Sequence, residues 1–299
     1  MNHYEKLGLL YLGRAAGSDE GESERPLLLY ESKDLLTHAV CVGMTGSGKT
    51  GLCIGLIEEA AIDGIPAIVV DPKGDLGNLL LTFPELRAED FQPWVNREEA
   101  RQRGLSIEEF AESQASLWSN GLAKWGQSGA RIGRLRESAD FVIYTPGSEA
   151  GLPISVLDSF RAPSSSDWED ADLIRDRIES TVTGLLSLLG IDADPIQSPE
   201  HILLSNLLEH LWKAGANVGL SDLIQGVQAP PFDRVGAFDL EAFYSTSKRT
   251  ALAIKLNNLL AAPSFQSWLE GAPLDLEKLL YTEEGRPRVA VFSIAHLSD

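Results

Sequence analysis

The chain is poor in cysteine, in basic residues and in long apolar runs, and each shortage narrows what it does. Only two cysteines occur in 299 residues, Cys41 and Cys53. A disulfide-stapled secreted scaffold is therefore excluded, and both side chains read as small buried residues. Five histidines (3, 38, 201, 210 and 296) show no metal-ligand spacing with them. No apolar run approaches the ~20 residues that a membrane helix needs. The N-terminal MNHYEKLGLLYLGR lacks a basic stretch followed by a long apolar one, so no signal peptide is expected and the cytoplasm is the default location. Basic residues number 25 against 44 acidic, a net charge of −19. Taken globally, that charge argues against a protein that coats nucleic acid, although a local basic channel remains compatible with it.

The charge is unevenly spread. Residues 149–200 hold 11 acidic residues against 3 arginines. Ser113 to Arg136 has no acid but carries Lys124, Arg131, Arg134 and Arg136 beside Trp118 and Trp125. Tyr244 to Leu269 is also acid-free, with Lys248, Arg249 and Lys255. Either window could face a phosphate backbone, but solvated helix faces are the simpler reading.

What is present is a phosphate loop. Gly43-Met-Thr-Gly-Ser-Gly-Lys-Thr50 fits G-x-x-x-x-G-K-[ST]. A strand-like run, Ala39 to Val42, precedes it, and a helix-like run, Leu52 to Ala61, follows. Glycines at 43, 46 and 48 let successive amides turn inward around phosphate oxygens. Helix onset adds its positive end. The expected nucleotide contacts are Gly43, Thr45, Gly46, Ser47, Gly48, Lys49, Thr50 and Gly51. Lys49 is expected on the β- and γ-phosphates, and the Thr50 hydroxyl on Mg²⁺.

Around the loop the pattern is α/β. Gly8–Gly13 and Pro26–Tyr30 are strand-like, separated by the acidic turn Gly17–Glu24, and residues 1–38 form a short β lead-in. The turn Asp63–Pro66 leads to a buried-type strand, Ala67–Val70, which ends in Asp71-Pro-Lys-Gly-Asp75. Residues 39–83 are the first part of the nucleotide-binding core. A mostly helical insertion spans 84–280 and contains one core strand, Phe141–Tyr144. Within it Trp94, Trp118 and Trp125 are expected as packing anchors. Helices are expected over 168–190, after Ser198-Pro199, and from about Asp239 to Ala261. Residues 281–299 hold a last core strand, Arg288–Ile294. The fold class is thus a P-loop parallel sheet with a large helical insertion and a short N-terminal β segment. No tandem repeat is visible.

This motif set resembles the HerA–FtsK superfamily of P-loop ATPases. The likeness rests on His38-Ala-Val-Cys-Val-Gly-Met-Thr-Gly-Ser-Gly-Lys-Thr50 and on Ile68-Val-Val-Asp-Pro-Lys-Gly-Asp75, with the long helical insertion and Val289–Ile294 in support. It is specific in the first 80 residues and organisational afterwards. The resemblance implies ATP with Mg²⁺ and a hexameric ring. It also implies helicase or translocase action on double-stranded DNA, with a nuclease or secretion protein as partner. It places Asp71 beside nucleotide and metal, where Asp71 could hold Mg²⁺ through water or act in catalysis; a turn-forming Asp-Pro is the alternative. Lys73 and Asp75 are weaker candidates. His38 is similar to a histidine that precedes the first strand in the family, and a structural role is the alternative. Arg249 could be a finger for a neighbouring subunit, against the simpler reading of a surface arginine.

One departure matters. No apolar strand in the chain ends in Asp-Glu, the pair expected to close the Walker B strand and activate water. The expectation is therefore the N-terminal part of a larger ATPase, with residues 1–299 binding ATP–Mg²⁺ and hydrolysing it poorly. Two other readings stand beside it. One is a nucleotide-gated assembly module whose acidic segment docks a partner. The other is a small-molecule kinase with Asp71 as base and Arg131, Arg134 and Arg136 as lid. No Asn-Lys-x-Asp or Thr-Lys-x-Asp motif supports a GTPase.

Overall fold

The computed structural model describes residues 6–15, 25–155, 160, 162–262, 265, 267–268 and 271–297. The expected acidic turn over 17–24 lies outside them. The described chain divides into two units, residues 1–144 with 276–299 and residues 145–275.

The first unit opens with an antiparallel hairpin, β1 (Leu9–Arg14) and β2 (Leu27–Glu31). Its register shifts between Tyr11 and Gly13, where Gly13 takes a φ of 134°, a bulge conformation that costs glycine little. Helix α1 (Lys49–Ile62) follows the glycine loop, and strand β3 (Ala67–Asp71) returns after a short turn. Helices α2 (Ala88–Phe91), α3 (Arg97–Gln102) and α4 (Ile107–Lys124) come next. Then α5 (Gly129–Ser138) leads into β4 (Asp140–Tyr144). The start of α4 is written locally: the Ser106 hydroxyl accepts from the Glu109 amide at 3.1 Å, and the Glu109 carboxylate accepts from the Ser106 amide at 2.8 Å.

The second unit is mainly helical. It contains the parallel pair β5 (Ile154–Ser155) and, near its end, a strand at Ala272–Pro273 that pairs with it. Between them run α6 (Ala171–Leu188), α7 (Pro199–Lys213) and α8 (Leu220–Gln228). A small hairpin, β6 (Arg234–Val235) with β7 (Phe238–Asp239), precedes α9 (Leu240–Phe243) and α10 (Thr246–Ala261). Its core draws on four of these helices, with Leu186, Leu203, Leu207, Trp212, Val227 and Leu256 fully enclosed. Trp212 keeps its indole N–H satisfied by the Phe160 carbonyl at 2.8 Å. The helix expected from Asp239 to Ala261 is in fact two. Tyr244 and Ser245 are extended, and Ser245 restarts the helix as the N-cap of α10.

The strand at Ala272–Pro273 is β8, and the chain then re-enters the first unit through α11 (Leu276–Leu280) and β9 (Arg288–Ser293). The three-stranded sheet there is parallel, in the order β3-β9-β4, with Val291 opposite both Val69 and Ile143. Val289, Ala290 and Val291 are completely buried, as a central parallel strand requires. One face of this sheet packs under α1 and α5, joining Val69, Val289, Val291 and Ile143 to Ile54, Ile57, Ala61 and Leu135.

Two expectations are corrected here. Residues 39–42 are extended but pair with no strand among the described residues, and Val40 and Val42 are each 84% exposed. An apolar run supplies side chains for a strand; it cannot supply the neighbour that makes the ladder. Trp94, Trp118 and Trp125 do not anchor the helical stretch either, being 63%, 54% and 45% exposed. Phe110, Ala111 and Ala115, on the first half of α4, carry that packing, because α2 and α3 lie against α4 there.

Candidate nucleotide site

The glycine loop has the backbone that its sequence calls for. Gly46 and Gly48 have φ of 80° and 89°, left-handed values that a side chain would resist. Gly43 is tight for a different reason: a Cβ there would lie 2.5 Å from the Ser47 hydroxyl. The Ser47 amide donates to the Met44 carbonyl at 3.2 Å, and the Leu52 amide to the Gly48 carbonyl at 2.9 Å, where α1 begins. Gly43, Thr45, Gly46, Ser47, Gly48, Thr50 and Gly51 are all solvent-exposed.

Helix α1 starts without a side-chain cap and without an acid in its first turn. The N-cap is Gly48 itself, so the amides that open the helix are left for an external acceptor. With the helix dipole behind them, they suit an anion. Lys49 is half-buried, and its ammonium donates to the carbonyls of Gly43 at 2.8 Å and Met44 at 2.7 Å. Those bonds fold the lysine across the loop, the place its charge would occupy on phosphate oxygens. The donor set fits a nucleotide phosphate chain: exposed amides, one lysine, and the Thr45, Ser47 and Thr50 hydroxyls. Thr50, exposed at the second position of the helix, is the metal candidate of this loop.

The sheet supplies the second half of the site. Because α1 runs into β3 through the short turn 63–66, the start of α1 and the carboxyl end of β3 lie toward the same edge. Such edges are where open α/β sheets bind ligands. Asp71 closes β3 there and is only 2% exposed. Its Oδ1 accepts from the Lys73 amide at 3.2 Å and the Gly74 amide at 2.8 Å, and its Oδ2 from the Leu76 amide at 3.0 Å. The carboxylate thus holds its own turn together. Lys73 and Asp75 are exposed on that turn. Gly74, with φ of 72°, sits against the end of β9, where a Cβ would approach the Ala295 methyl to 3.2 Å.

Other sequence candidates take different places. His38 is exposed and leads into no buried strand. Arg249 is neither a surface arginine nor presented to a neighbour. It is 8% exposed, and its guanidinium donates to the Tyr244 carbonyl at 2.7 Å and the Thr246 hydroxyl at 2.8 Å. Arg131 is no lid residue, because it pairs with Glu59 of α1 at 2.6 Å, both side chains largely buried.

Glu59 was not singled out in the sequence. Its other oxygen accepts from the Tyr11 amide of β1 at 2.7 Å, and Asp63 accepts from the Gly8 amide at 2.8 Å. Two acids near the end of α1 therefore tie the phosphate-loop helix to the hairpin, and Glu59 also ties it to α5. The only sequence signal was a second glutamate in Glu58-Glu59 on an otherwise apolar helix. Glu58 is half-buried, and its carboxyl is pushed above the usual range, first by burial and then by the neighbouring Glu59 charge, with Arg131 opposing. The Cys53 thiol is likewise raised, first by burial and then by Cys41. Among the described residues no cluster of three or more His, Cys, Asp or Glu could hold a metal, and no helix is long and apolar enough to cross a membrane.

Residues 10–128 match the family model described as the central domain of helicase HerA. That span covers the hairpin, the glycine loop, α1, β3 and α2 to α4. No curated protein and no solved structure matches the chain.

Proposed function

Since residues 10–128 belong to the helicase HerA central-domain family, and the chain is thereby a P-loop ATPase of that type, we propose that it is the ATP-binding part of a ring motor acting on double-stranded DNA. The observation that carries this reading is the uncapped start of α1 behind two left-handed glycines, with Lys49 folded over it. On this reading the amides of Gly46 to Gly51 and the Lys49 ammonium hold the phosphates. Thr50 holds Mg²⁺, and Asp71 orders the adjoining turn and reaches the metal through water. ATP bound at this edge supplies the phosphoryl group whose transfer to water drives movement.

Residues 1–299 contain no apolar strand ending in Asp-Glu, so the chain supplies the phosphate grip without a water-activating glutamate. By itself it binds ATP–Mg²⁺ and turns it over slowly. Subunits assemble as a hexameric ring, DNA passes through it, and a nuclease or secretion protein is the further partner. The location is the cytoplasm.

The test is hydrolysis measured with and without double-stranded DNA, together with solution mass with and without ATP. A ring that forms with nucleotide and hydrolyses faster on DNA supports the motor. Nucleotide-dependent assembly with no DNA effect would favour the assembly module, and phosphate transfer to an acceptor other than water would favour the kinase. Asp71→Asn is expected to weaken Mg²⁺-dependent binding more than Mg²⁺-free binding. Equal loss in both would leave Asp71 with its turn alone.

A further inference from the structure

The two cysteines of the chain meet at the base of the phosphate loop. Cys41 lies two residues before Gly43 on the extended segment that enters the loop, and Cys53 is the fifth residue of α1. The loop reverses the chain, so the helix runs back beside the entering segment and the two thiols face each other closely enough to share a hydrogen bond. Cys41 is exposed, whereas Cys53 is half-buried. The expectation that both are inert buried residues therefore fails for Cys41.

We propose that Cys41 and Cys53 form a redox-modification site. Exchange with a low-molecular-weight disulfide joins them in an intramolecular bond that restrains the phosphate loop. The proposal rests on the reading of this loop as the ATP site.

The exchange takes two displacements. The Cys41 thiolate attacks one sulfur of the small disulfide, forming a mixed disulfide and expelling one small thiolate. Cys53 then gives its proton to that thiolate or to water and attacks the Cys41 sulfur, expelling the second small thiolate. Two electrons pass from the protein thiols to the small disulfide, which leaves as two thiols. The order follows from exposure: Cys41 is open to a solute, and Cys53, whose thiol is held protonated by burial, resolves the mixed species.

The ring so closed spans residues 41–53 and encloses the whole loop, including Lys49 and Thr50. Lys49 must release the Gly43 and Met44 carbonyls before it can reach a phosphate. A bond between the entering segment and α1 opposes that rearrangement. ATP is expected to bind roughly tenfold more weakly to the bridged form. By linkage, saturating ATP raises the reduction potential of the pair by about 30 mV for a tenfold effect.

The experiment equilibrates the 299-residue chain in mixtures of reduced and oxidised glutathione. Intact mass and peptide mapping read the bridge, and titration with Mg²⁺–ATP reads affinity. The expected product has lost two hydrogens, yields a peptide linking residues 41 and 53, and regains full ATP affinity on reduction. Cys41→Ser and Cys53→Ser should each abolish the linked peptide, and Cys41→Ser should bind ATP equally in both buffers. Glutathione adducts or intermolecular dimers without the linked peptide would overturn the proposal, as would a bridged form with unchanged ATP affinity. If the reduced protein binds no ATP, the nucleotide reading fails and control of the loop fails with it, while mass still judges the bridge itself.

Discussion

At Lys49 the structure shows a charge with its contacts provisionally filled. Its ammonium is bonded to two loop carbonyls, Gly43 and Met44, rather than to a carboxylate. Exchange of carbonyls for phosphate oxygens is therefore favourable, since bonds between charged groups are the stronger kind. Lys49→Ala removes a charge-assisted contact of about 1.5–3 kcal/mol and should weaken ATP roughly 10- to 150-fold without unfolding the protein. Equilibrium binding with a circular-dichroism control measures this. Glu58 shows the same scale through protons. Burial raises its carboxyl above its ordinary 4.5. A raised acid binds more protons folded than unfolded, so its contribution to stability is intact below that value and is lost as pH climbs through the folded value. Glu58→Gln should flatten this fall, and denaturant unfolding across a pH series would show it.

Among the elements, α1 has two jobs at opposite ends. Its first turn is left uncapped for an anion, and its last turns are held by Glu59 and Asp63 against the hairpin and α5. Glu59→Ala leaves the Arg131 guanidinium in a mostly buried site and is expected to cost about 3–5 kcal/mol, read as a drop in thermal midpoint. Glu59→Ala with Arg131→Met should cost less than the two changes added together. Arg249 makes a parallel case in the second unit, where it fastens the break between α9 and α10. Arg249→Leu should lower stability by about 2–4 kcal/mol and leave ATP affinity of the folded protein unchanged. A finger residue would behave in the opposite way.

The elements also show why some features are readable from residues alone. Val289 to Val291 and Ala67 to Val70 announce themselves because a parallel strand buried on both sides is a continuous apolar run, bounded here by turns. Gly46 and Gly48 do so because only glycine takes their φ without strain. Ala39 to Val42 carries the same apolar signal as those strands, yet no neighbour pairs with it. Trp118 lies on the same helical stripe as Ala111 and Ala115, but α2 and α3 cover only the first half of α4. The restart at Ser245 and the pairing of Glu59 with Arg131 depend on contacts that no local pattern encodes.

At the scale of the whole molecule, a net charge of −19 coexists with a site built for a polyanionic nucleotide. The two are compatible because the loop draws on backbone amides, a helix end and one lysine rather than on a broad basic field. The match to the HerA central domain over residues 10–128 and the loop geometry point to the same ligand. The acidic stretch 149–200 lies mostly in the second unit, away in sequence from the loop. The most direct measurement is calorimetric titration of the 299-residue chain and its Lys49→Ala variant with ATP, with and without Mg²⁺. The account predicts one ATP bound per chain, tighter with Mg²⁺ and largely lost in the variant. Binding of equal strength in both proteins, or none in either, would contradict it.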